Sequence, residues 1–225
     1  MLASERKWYA DTVMHGIVQQ AGFATVGEFR EAVRAQVRQR FGDAKLSDGL
    51  RGTIEEAFQM QQIGQVVGAD WRMLAKPWAA VFDQQMVEVC EKIRGFVDDL
   101  WSAGLPNAVP SDARVWLGPS LEHVVHVHRK AKSELATMRR RLDEKSDTIG
   151  QRVLALALCM AFDARCSARY QPALRMRPRL FHELDDLVES RNSVDHFRAG
   201  APYVDVEVFQ AKVIAVMQAF AAVGA

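Results

Sequence analysis

Near the C-terminus, the stretch Glu189-Ser190-Arg191-Asn192-Ser193-Val194-Asp195-His196-Phe197 sets a guanidinium, an amide and an imidazole close together. Arginine is a permanently charged planar fork matched to phosphate, and histidine is the side chain that titrates near neutral pH. One group that clamps charge and one that carries a proton are the minimum for phosphodiester chemistry. On an uninterrupted helix, residues five apart lie about 140° apart around the axis, so Arg191 and His196 converge only where the helix ends or kinks between them. Asn192, Ser193 and Asp195 compete with helical hydrogen bonds and favour caps and turns. The helix is therefore expected to run from about Pro178 to Arg191 and stop.

Arg177 and His182 have the same separation, but Pro178 falls inside that pair, at an expected helix start. Arg191 instead follows an amphipathic helix, is followed by Asn192, and precedes a last apolar helix. This arrangement resembles the R-x4-6-H motif of the HEPN superfamily, small all-helical domains many of which are metal-independent ribonucleases. The resemblance covers the C-terminal half. It implies cleavage of RNA through its own 2′-hydroxyl, with Arg191 neutralising the scissile phosphate, His196 transferring a proton and Asn192 orienting one of the two. One histidine does not act as acid and base at once, so the resemblance also implies a homodimer with two copies of the motif in one cleft. The roles it brings are those of a toxin or phage-defence effector, with a protein antitoxin or regulator as partner and no cofactor. The other reading is a non-catalytic helical module that dimerises or binds RNA or protein, in which Arg191 pairs with Glu189 or Asp195. Catalysis needs the arginine and histidine exposed in a shared groove.

The elements that position this motif follow from periodicity. Apolar residues recur at helical spacing almost throughout the 225 residues, and only Tyr203-Val204-Asp205-Val206 suggests a strand, so the expected class is all-α. Thr25-x-x-Glu28 and Thr53-x-x-Glu56 have the form of capping boxes, each opening a helix. A longer helix is expected from Pro77 to Trp101, ended by Gly104. Val153 to Phe162 is apolar around most of a helix and is expected at the centre of the C-terminal core, within a helical segment from Asp147 to Arg169. Asp205 is a natural N-cap for the last helix. These signals divide the chain into a helical N-terminal region, residues 1–105, which recognises a partner or extends the bundle; a linker or packed loop, 106–119; and a HEPN-like domain, 120–225.

Net charge is +1 overall, but from Arg129 to Arg179 thirteen Arg and Lys face five Asp and Glu. An excess of that kind is the footprint of a polyanion contact. Arg129, Lys130, Lys132, Arg139, Arg140, Arg141, Arg175, Arg177 and Arg179 are the expected RNA-binding residues, with Glu183, Asp185, Asp186 and Glu189 as the acids able to balance them. Arg30, Arg34 and Arg38 form a second ladder that reads as a solvated helix face. His123, His126 and His128 lack the cysteines or carboxylates that complete a metal shell, and no metal is expected there. Three cysteines with no C-x-x-C pair fit a reducing compartment. The N-terminus is too polar for a signal peptide, and no apolar run is long enough to span a bilayer, so a cytoplasmic protein is expected.

Overall fold

Helices begin where side chains satisfy their free amide groups, and the computed structural model shows which candidates win. It describes residues 3–42, 44–126, 128, 149–195 and 203–223, with side chains in the first helix from Thr12 onward. The fold is all-α, with no strand among the described residues; its helices bounded within them are α1 (Ala3–Gln20), α2 (Val26–Phe41), α3 (Asp48–Val67), α4 (Trp71–Ala103), α5 (Ser111–Leu117), α6 (Ile149–Phe162), α7 (Ala164–Met176), α8 (Leu180–Asp195) and α9 (Val206–Ala221). A 3-10 turn, Gly118–Ser120, follows α5.

Thr25 caps α2 as expected: its hydroxyl accepts from Glu28 N at 3.1 Å, and the Glu28 carboxylate accepts from Ala24 N at 3.0 Å. Asp205 caps α9 by accepting from Val208 N at 3.1 Å. Two expected starts move. Helix α3 opens five residues before Thr53, because Ser47 Oγ accepts from Leu50 N at 3.0 Å and donates to Glu88 on α4. Thr53 is then helical and its hydroxyl donates back to the Gly49 carbonyl. Helix α4 opens at Trp71, capped by Asp70 through Met73 N at 3.0 Å, so Pro77 sits inside the helix. It ends before Gly104, whose φ of 77° an L side chain rarely adopts. The segment expected as one helix from Asp147 to Arg169 is two, because the Asp163 carboxylate turns to accept from Arg165 N and Cys166 N and starts α7.

Helix α4 is the axis of the bundle, packing against α3, α6, α8 and α9. Its buried stripe runs from Ala75 through Trp78, Phe82, Met86, Val89, Ile93 and Val97 to Trp101. Helix α6 is buried on nearly every side, from Val153 through Ala161. Buried residues from Val18 to Phe220 form one continuous hydrophobic cluster, so helices of both halves share a core. Within 106–119, Val109, Ala113 and Leu117 are buried in that cluster, and the Ser120 hydroxyl donates to the Pro178 carbonyl at 2.9 Å. No described helix is long and apolar enough to cross a membrane.

Candidate functional site

Helix α8 is amphipathic, burying Leu180, Phe181, Leu184, Leu187 and Val194, and this fixes where Arg191 must point. It continues past Arg191 to Asp195, one turn further than the cap-favouring residues suggest. Ser193 tolerates the helix because its hydroxyl donates to the Glu189 carbonyl at 3.0 Å, and Asp195 because it pairs with Arg191 one turn back. Arg191 is half-buried against α4. Its Nε donates to both Asp83 carboxylate oxygens at 3.1 Å, and its Nη2 donates to Asp83 Oδ2 at 2.7 Å. The Asp195 carboxylate lies 3.0 Å from the same Nη2. Nη1 donates to the amide oxygen of exposed Asn192 at 3.4 Å. Hydrogen bonding to Asp83, with the charges of Asp83 and Asp195, raises the Arg191 pKa above its ordinary value, against opposing effects of burial and of Arg152. The side chains of Arg191 and Asp83 remain 21% and 30% exposed.

The pairing with Asp195 is one that the non-catalytic reading expects of Arg191. The pairing with Asp83, 108 positions away, was not foreseen. One signal pointed to it: Asp83 stands between Val81, Phe82, Gln85 and Met86, all buried, and an acid among core positions needs a partner. His196 lies outside the described residues, as do Arg129, Lys130, Lys132, Arg139, Arg140 and Arg141.

The three described residues of the basic set are differently disposed. Arg177, the arginine of the second Arg-x4-His spacing, is bound to Glu183 through Nε at 2.8 Å and Nη2 at 2.7 Å. Arg175 is exposed and donates to Gln171 at 3.3 Å, and Arg179 is exposed. Three of the four balancing acids are in use: besides Glu183, Asp185 meets His123 Nδ1 at 2.8 Å and Asp186 meets Lys212 at 2.9 Å. In the other ladder, Arg34 is tied to Glu31 and Glu55.

His123 stacks on Phe181 with ring centroids 5.7 Å apart, and buried His128 contacts the Pro106 carbonyl at 2.9 Å. Both act in packing. No group of three or more His, Cys, Asp or Glu side chains among the described residues is arranged to hold a metal. Cys159 and Cys166 are fully buried. Burial pushes the Cys166 thiol up to about 12 and the Cys159 thiol higher still, so neither is a nucleophile at neutral pH. Alkylation of the native protein at pH 8 is therefore expected to spare Cys159 and Cys166, with all three cysteines labelled in denaturant. Mass spectrometry finding either residue modified in the native protein would contradict their burial between α6 and α7.

A second feature, unforeseen from sequence, lies on the other side of α8. A groove of about 230 Å³ runs between the end of α8 and the start of α9, lined by Glu189, Ser190, Ser193, Tyr203, Val204, Asp205, Val208, Phe209 and Lys212. Tyr203 is 68% exposed, and its ring meets Trp71 edge-on at 5.6 Å. The Arg72 guanidinium covers Trp71 at 4.7 Å. Searches against protein-family models, curated proteins and solved structures return no match to the chain.

Proposed function

We propose that the chain is a metal-independent endoribonuclease of the HEPN type, in which Asp83 holds Arg191 as a positioned phosphate clamp. The observation that carries this reading is the two-point contact of Asp83 with the Nε and Nη2 edge of Arg191. A free surface arginine samples many rotamers, whereas transition-state stabilisation comes from donors already in place. With that edge occupied, Nη1 beside Asn192 is the donor left for a non-bridging phosphate oxygen. In the reaction, the RNA 2′-oxygen attacks phosphorus and gives its proton to a base. The P–O5′ bond breaks, and the leaving oxygen takes a proton from an acid. The products are a 2′,3′-cyclic phosphate and a 5′-hydroxyl. His196 serves as one of the two proton carriers, and His196 of a second copy as the other, which makes the active species a homodimer.

The alternative is a non-catalytic helical module that dimerises or binds RNA or protein. A specific observation favours it: two carboxylates on one guanidinium leave the pair-and-a-half with net negative charge, which opposes a phosphate. Purified protein incubated with mixed RNA in EDTA, beside the His196→Ala variant, decides between them. Cyclic-phosphate ends that disappear in the variant support the enzyme; no cleavage at any pH between 6 and 9 supports the module.

Asp83 has its own test. Asp83→Asn keeps the shape and removes the charge, and is expected to lower kcat by roughly tenfold with KM little changed, since misplacement of a clamp acts on the transition state. A merely structural Asp83 would lower the melting temperature and leave kcat unaltered well below it.

A further inference from the structure

We infer that the groove between α8 and α9 is a nucleobase subsite for single-stranded RNA. The inference rests on the ribonuclease reading of the same helix end and adds to it a site for the base. Around α8, Arg191 and Ser193 are separated by about 160°, so Arg191 faces α4 while Ser193 faces the groove. Asn192, between them in sequence, is exposed. A strand whose phosphate meets Nη1 of Arg191 crosses Asn192 and brings a neighbouring base to Tyr203.

Four features fit a base. Tyr203 offers an open aromatic face, braced from one side by the edge-on ring of Trp71. Proteins that read single strands stack unpaired bases on such rings and hydrogen-bond their edges. At about 230 Å³ the groove is smaller than the roughly 300–1,000 Å³ sites that take drug-sized ligands, and is suited to one flat ring. Its far wall is polar, with the Ser190 and Ser193 hydroxyls and the exposed Glu189 carboxylate. That carboxylate has no hydrogen-bond or ion-pair partner among the described residues, whereas Asp205 is used as a cap and Lys212 pairs with Asp186. A free carboxylate accepts from the exocyclic amino groups of cytosine and adenine, which uracil lacks.

The test uses short 2′-O-methyl homopolymers, which lack the nucleophilic hydroxyl and report binding without cleavage, with affinity read by fluorescence anisotropy in EDTA at low salt. Wild-type protein is expected to bind the C and A oligomers more tightly than the U oligomer. Tyr203→Ala should weaken binding of all three by roughly tenfold or more, and Tyr203→Trp should restore it. Glu189→Gln should erase the preference for C and A over U. Both residues are exposed, so folding should survive the changes, and circular dichroism checks that it does. Unchanged binding in Tyr203→Ala, with the wild type binding normally, overturns the subsite and leaves the nuclease reading intact; the same result is expected if the groove takes a protein side chain. Failure of the wild type to bind any oligomer overturns both.

Discussion

Arg191→Ala and His196→Ala should each reduce metal-independent RNA cleavage by a factor on the order of 10²–10⁴. Losing a positioned acid or base removes about that much, and losing one transition-state charge donor removes on the order of 10²–10³. The two variants should differ in stability. Sequence alone put Arg191 beyond the apolar stripe of its helix, where a substitution typically changes stability by about 0.5 kcal/mol. The structure instead ties it to Asp83 and Asp195, so Arg191→Ala strands a half-buried carboxylate and should cost on the order of 1–3 kcal/mol. Cleavage must accordingly be compared well below each melting temperature, under single-turnover conditions with saturating RNA, where binding differences drop out. Light scattering should show a homodimer for both variants as for the wild type. A wild-type rate in His196→Ala, or a strict monomer at micromolar concentration, would end the enzyme proposal.

The local chemistry of the bundle was largely readable from the sequence, because capping and amphipathicity act over a few residues. Thr25, Asp205 and Gly104 mark helix ends where they were expected, and the apolar run from Val153 to Ala161 is the buried centre it promised to be. Where expectation failed, two local solutions competed. Ser47 and Thr53 both have a hydroxyl able to cap, and the earlier one wins because its helix adds a turn that buries Leu50 against the core. Pro77 reads as a helix start, but Asp70 caps nearly two turns earlier, and burying Ala75 and Trp78 offsets the amide that proline lacks. The candidate site was legible only as a list of residue types. Arg191 meets an acid from α4 rather than one of its neighbours alone, and spacing along a chain carries no information about a contact 108 residues away. The groove was hidden for the same reason, since its walls come from two helices and the residues just before the second.

Trp78→Ala should destabilise the protein by about 3–5 kcal/mol, the usual range for emptying a fully buried tryptophan site. Trp78 has no exposed surface, meets Phe58 edge-to-face at 4.9 Å, and donates from Nε1 to Gln61 Oε1 at 3.1 Å. Gln61 in turn donates to Gln210 on α9 at 2.9 Å, so one side chain on α4 organises a junction of three helices. Truncation leaves a cavity and an amide oxygen without its donor. For a chain of this size each kcal/mol corresponds to roughly 2–4 °C, so the melting temperature should fall by about 6–20 °C. Trp78→Phe refills most of the volume but not the hydrogen bond, and should cost only about 1–2 kcal/mol. The consequence reaches the site, because Asp83 stands on the same helix five residues further on. Trp78→Ala should therefore lower kcat as well as stability, while Trp78→Phe should leave kcat near wild type. Urea unfolding that shows less than about 1 kcal/mol of loss in Trp78→Ala would mean that this junction does not hold α4, and that Asp83 takes its place for some other reason.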